Sequence, residues 1–197
     1  MKIKTYRFAA AVAVLIALAL VFMAPVGAVD VATVVSGSTT TPYTSLQDAV
    51  DAAQDGETVT LLMGVSSSEI IEIQKAITLD GAGYTLTSTA SRAINVNCSG
   101  AVTIKNLTVA TIDPVYSEAT NPERAINIID NAVTLTLNNV TAEGFKYTIN
   151  VHPSSIGSYI NIIGGKYGGY SALNIIGNDT VVVANNVVFN GKNSASY

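Results

Sequence analysis

Arg92 and Arg124 each open an identical Arg-Ala-Ile-Asn segment, 32 residues apart. If the two segments stack in register, their guanidinium groups lie one strand spacing apart, about 4.8 Å. Like charges that close cost energy unless something anionic lies between them. Residues 110–123 (ATIDPVYSEATNPE) intervene, and Pro114, Pro122 and their polar neighbours predict a loop thrown out beside the pair. Asp113, Tyr116, Glu118 and Glu123 lie on that loop. Such a set suits recognition of an acidic sugar: an Arg fork holds the carboxylate, Tyr116 stacks on the ring, and Asp113, Glu118 and Glu123 hold Ca²⁺. Arg92 and Arg124 are also the only catalytic candidates. The commoner arrangement is plainer, with Glu118 or Glu123 neutralising the arginines and pinning the loop, and exposed pairs of that kind are individually weak. The plainer arrangement carries more weight.

Asn95, Asn127, Asn150 and Asn174 form a second set, recurring in similar apolar segments. A column of amides on an outer surface can hydrogen-bond a sugar chain laid along it. Stacked amides also bond to one another and stabilise their own backbone, which is the favoured expectation here. Other chemistry is thin. His152 is the only histidine, it precedes Pro153, and a general base needs an orienting partner that sequence does not reveal. Asp80 and Asp130 fall in different repeats, whereas glycoside hydrolysis needs two carboxyls at a defined separation. There is no metal-ligand spacing of His and Cys and no Gly-rich phosphate loop between a strand and a helix.

The elements that must position these residues are visible as a repeat. Residues 124–144 and 171–191 superpose without a gap at an offset of 47, and Thr148-Ile149-Asn150-Val151 lies between them, 23 residues after one copy and 24 before the next. Repeats of that length are the rungs of a solenoid. Val59-Thr60-Leu61, Ile77-Thr78-Leu79, Val102-Thr103-Ile104 and Val133-Thr134-Leu135 alternate, with apolar residues in and Thr out. Ile94-Asn95-Val96 and its three equivalents alternate likewise, which places Asn outside. Gly164-Gly165, Asn138-Asn139 and Asn185-Asn186 mark corners, where left-handed backbone is cheap. The Thr columns also suit ice binding, ranked last because Asn161 and Val182 interrupt them. About five to six rungs make a rod roughly 25–30 Å long.

Ahead of the repeats, Leu46, Ala49, Val50 and Ala53 recur at helical spacing within residues 42–56, with Thr44 and Gln47 as a capping box and Gly56 as a terminator. This helix predicts a lid on the first rung. Residues 29–41 read as a flexible lead-in. The strings TSLQDAVDAAQDGETVTLL and KAITLDGAGYTLTST resemble the opening of right-handed parallel β-helix proteins of the pectin-lyase-like superfamily, and the likeness covers about residues 42–191. That resemblance implies an extracellular, often carbohydrate-facing protein, and the superfamily holds pectate lyases, polygalacturonases and non-catalytic surface proteins. A superfamily lyase is expected to cluster several Ca²⁺-binding acids beside a basic residue, and a hydrolase to cluster aspartates near a histidine. Neither pattern is visible. The fold class expected is therefore all-β, a right-handed parallel β-helix over residues 57–191 with an N-terminal capping helix.

Lys2, Lys4 and Arg7 precede an apolar run from Phe8 to Ala24, and residues 1–28 read as a secretory signal peptide. Without its three basic residues the remaining chain holds seven basic against fourteen acidic side chains. That balance argues against nucleic acid and anionic membranes as partners. Cys98 is alone, so no disulfide can form within the chain, and a small buried role is expected for it. Residues 192–197 offer no lid for the last rung, which predicts a rod that continues elsewhere or associates end to end. The sequence thus predicts a secreted or cell-surface module for adhesion or glycan binding that is not an enzyme, with Ca²⁺ as the only cofactor suggested. A carbohydrate-active enzyme of pectate lyase type, acting on an acidic polysaccharide, is the alternative, and a structural spacer within a larger surface protein is the second.

Overall fold

The computed structural model describes residues 27–112 and 122–191. Most of the predicted signal peptide, the tail 192–197, and Asp113, Tyr116 and Glu118 lie outside the described residues. Over the described residues the chain is a parallel β-solenoid of about five turns, 56% strand and 4% helix. Each turn lays three strands on three faces. The first face stacks Thr58–Leu61, Thr78–Asp80, Ala101–Lys105, Thr134–Asn138, Tyr159–Ile163 and Val181–Asn185. The second begins with Val65–Ser67 and ends with Val188–Gly191, and the third begins with Ile71–Ile73. Thr141–Val151 and Lys166–Ile175 are long enough to run across the second and third faces without a break.

Period-two alternation builds the core as the sequence predicts. On the first face Val59, Leu79, Ile104, Leu137 and Ile162 are in register and fully buried. Thr58, Thr78, Thr103 and Thr136 form the neighbouring outward column. Asn161 and Val183 continue it, so the interrupting residue is Val183, while Val182 faces inward. Corners use left-handed backbone where Asn and Gly occur: Asn106, Asn139, Gly164 and Asn186 adopt φ of 50°, 54°, 66° and 55°. These four sit at the same corner of successive rungs, and the amide of each of the first three donates to a carbonyl of the next rung. Gly165 follows at φ 90°, pressed so closely on the Val140 backbone that a Cβ has no room.

Three local expectations are corrected. Residues 29–41 are largely not a loose lead-in: Ala32–Ser36 and Thr39–Tyr43 form an antiparallel hairpin that turns at Gly37 and pairs onto Thr58–Leu61. Ala32 and Val34 are buried against the core, which the polar residues after them obscured. The helix spans Leu46–Ala52 and its N-cap is Ser45 rather than Thr44, with Ser45 Oγ accepting from the Asp48 amide at 3.3 Å. Gln47 is therefore free of the cap and docks the helix on the first rung, accepting from the Glu72 amide at 2.9 Å and donating to the Glu72 carbonyl at 3.2 Å. Gly56 lies beyond the helix, whose C-cap is Ala53. The lid itself is as predicted, since Leu46, Ala49, Val50 and Ala53 are all buried.

Candidate functional site

The register brings Arg92 and Arg124 onto adjacent strands of the third face, directly paired. The next rungs place Tyr147 and then Ser171 in the same column. The Arg124 guanidinium lies 6.0 Å from the centre of the Tyr147 ring, and the Lys146 ammonium lies 5.8 Å from the same ring. Cations near an aromatic ring at that range are attracted by its quadrupole. Among the described residues the aromatic ring at Arg124 is Tyr147, which sequence reasoning did not single out. One signal pointed to it: Tyr147 follows Arg124 by 23 residues, one rung.

Glu123 is the described loop acid at this place. Its carboxylate accepts from Arg124 Nη1 at 2.7 Å, which is the plain neutralising pair the sequence favoured. With the Glu123 side chain 55% exposed, this pair adds little stability. Its engagement with Arg124 also competes with a role as a Ca²⁺ ligand. Among the described residues no group of three His, Cys, Asp or Glu side chains comes together. Arg92 has no ion-pair partner among the described residues, and Nε of both arginines is buried without a hydrogen-bond acceptor. Each unpartnered buried Nε carries a desolvation cost.

The amide column differs from its predicted orientation. Asn95, Asn127 and Asn150 are 4%, 1% and 1% exposed, so they are inside rather than on an outer surface. Alternation fails here because four successive residues of each strand, such as Ala93 to Val96, are buried together. Asn95 donates to Glu72 Oε1 at 2.6 Å, Asn127 to Asn95 at 2.9 Å, Asn150 to Asn127 at 2.6 Å and Asn174 to Asn150 at 2.6 Å. The ladder bonds to itself and is no open array for a sugar. Only half-buried Asn174 lies at its end. A shorter column at the corner has the same plan, with Asn139 donating to Asn106 and Asn106 to Asp80.

The remaining reactive groups have structural partners. His152 Nδ1 accepts from the Ser154 amide at 3.2 Å and lies 2.7 Å from its hydroxyl, which stabilises the Pro153 corner. Cys98 is half-buried, and burial, then Asp55, pushes its thiol pKa up, which makes it a poor nucleophile. Asp80 pairs with Lys105 at 3.2 Å and Glu143 with Lys166 at 2.6 Å.

Fold and site together define a parallel β-solenoid with a basic and aromatic column on one face. Comparison of the chain with protein-family models, curated proteins and solved structures finds no match.

Proposed function

We propose that the protein is a non-catalytic module, at the cell surface or secreted, that binds an acidic glycan through Arg92, Arg124 and Tyr147. The supporting observation is the register that stacks Arg92 and Arg124 on adjacent rungs with Tyr147 on the next, its ring 6.0 Å from the Arg124 guanidinium. A chain of uronate sugars offers carboxylates along its length and apolar ring faces between them, which match cations and ring respectively. The excess of acids elsewhere in the chain repels polyanions at long range, so attraction is confined to this column and weakens with salt. The resemblance of the opening to the pectin-lyase-like superfamily supports an extracellular, carbohydrate-facing reading without choosing among its lyases, hydrolases and non-catalytic members, and the pairing of Glu123 with Arg124 favours the non-catalytic one.

The test is affinity electrophoresis of the purified chain in gels holding polygalacturonate or neutral dextran, with a reducing-end assay on the same polymers with and without Ca²⁺. Retardation by polygalacturonate alone is expected. Arg92→Ala and Arg124→Ala should each weaken it about 10- to 100-fold, the value of a lost charge-assisted bond. Equal retardation by both polymers, or none, refutes the proposal, and chain cleavage in the presence of Ca²⁺ replaces it with the lyase alternative.

A further inference from the structure

Arg124 is engaged before any ligand arrives. The Glu123 carboxylate accepts from Arg124 Nη1 at 2.7 Å, whereas Arg92, one rung back, has no ion-pair partner among the described residues. The Glu123 backbone is fixed independently of its side chain. Its amide donates to the Ser91 carbonyl at 2.9 Å, and its carbonyl accepts from the Tyr147 amide at 2.7 Å. The carboxylate is therefore tethered beside the guanidinium yet able to turn outward, with 55% of the side chain exposed. An exposed pair is weak enough to exchange. Glu123 holds, at one of the site's two arginines, an anion of the same chemistry as a uronate carboxylate.

We infer that Glu123 is a displaceable internal competitor that sets the threshold for anions at Arg124, an inference that rests on the acidic-glycan reading of the site. Any incoming carboxylate must take the place of an equivalent one that the chain already supplies. The concentration needed at Arg124 is raised for every ligand, and free single acids fall short of it first. An oligouronate is better placed, because a carboxylate anchored at Arg92 presents the next one to Arg124, about one strand spacing away, at a local concentration on the order of millimolar. The displaced Glu123 side chain then turns to solvent. No backbone hydrogen bond breaks in the exchange, since those of residue 123 run to Ser91 and Tyr147. Glu123 thus holds single anions off Arg124 while chains of them are admitted.

Titration of the purified chain with galacturonate and with trigalacturonate, read on the Nε–H resonances of Arg92 and Arg124, tests this in the parent and in Glu123→Gln. The variant removes the charge and keeps the side-chain length, so it should fold and keep the parent circular dichroism. Trigalacturonate should move both arginine resonances of the parent. With galacturonate, Glu123→Gln should lower the midpoint at Arg124 about two- to five-fold, the worth of an exposed ion pair, and change the midpoint at Arg92 less. A midpoint at Arg124 that is unchanged or higher in Glu123→Gln overturns the inference, as does an equal gain at both arginines, which is a general effect of charge. If trigalacturonate moves neither resonance in either protein, the acidic-glycan reading itself fails and the inference falls with it.

Discussion

Replacing Asn127 with alanine cuts the amide ladder at its most enclosed point. Asn127 is 1% exposed, donates to Asn95 at 2.9 Å and accepts from Asn150 at 2.6 Å. Its loss strands the Asn95 carbonyl oxygen and the Asn150 amide hydrogen in a dry interior. Each stranded group costs about 1–3 kcal/mol, so the variant loses about 2–6 kcal/mol. Asn174→Ala strands one group, the Asn150 carbonyl oxygen, and should cost about half as much. Urea unfolding followed by circular dichroism reads both, and the midpoint should fall with an unchanged slope. For a chain of this size the Asn127→Ala loss corresponds to a Tm lower by at least about 4 °C. Asn127→Asp sharpens the test. Its carboxylate can accept from Asn150 but cannot donate to Asn95 unless protonated, so burial raises its folded pKa. Stability from that proton is then present in acid and lost as pH rises through the raised value. An Asn127→Ala cost below about 1 kcal/mol, or equal to that of Asn174→Ala, would refute the view that the ladder's closed interior is what holds the rungs.

Two other perturbations follow from single groups. The Tyr167 hydroxyl is buried without a partner, and burial raises its pKa well above the usual tyrosine value, so Tyr167→Phe should stabilise the fold by about 1–3 kcal/mol in thermal melts. A loss of stability would mean that the hydroxyl has a partner in solution. Burial alone would raise the Asp80 carboxyl, but the Ala82 amide, the Asn106 amide and Lys105 outweigh it and hold the pKa below the ordinary value. A depressed folded pKa gives stability that is present above the unfolded pKa of about 4 and lost as pH falls through the folded one. The gap in urea midpoint between the parent and Asp80→Asn should therefore be constant from pH 5 to 7 and shrink below about pH 4. A gap that is unchanged at pH 3 would assign the difference to shape rather than charge.

Much of this architecture is legible in the chain because a solenoid is local in one dimension. Each rung repeats one pattern at about 23 residues, so the spacing of Ile126, Ile149 and Leu173 predicts who stacks on whom before any distance is known. Asn139 and Asn186 announce their corners because few other residues tolerate left-handed backbone. The stacking of Arg92 on Arg124 across a longer interval was legible from the repeated Arg-Ala-Ile-Asn. The hairpin at residues 32–43 was not, since Thr39-Thr40-Thr41-Pro42 has no apolar alternation and becomes a strand only by pairing with a neighbour.

Sequence by itself therefore determined the rung length, the inward apolar columns, the capping helix and the register of the arginines, all of which follow from periodicity and backbone preference. Tertiary structure alone decided that the asparagines lie inside and bond in a ladder from Glu72, that Tyr147 stands at the arginines, and that Gln47 ties the lid to the first rung. These depend on where each strand bends and on which side chains then face one another across rungs. An alternation of apolar and polar letters carries no information about that closure.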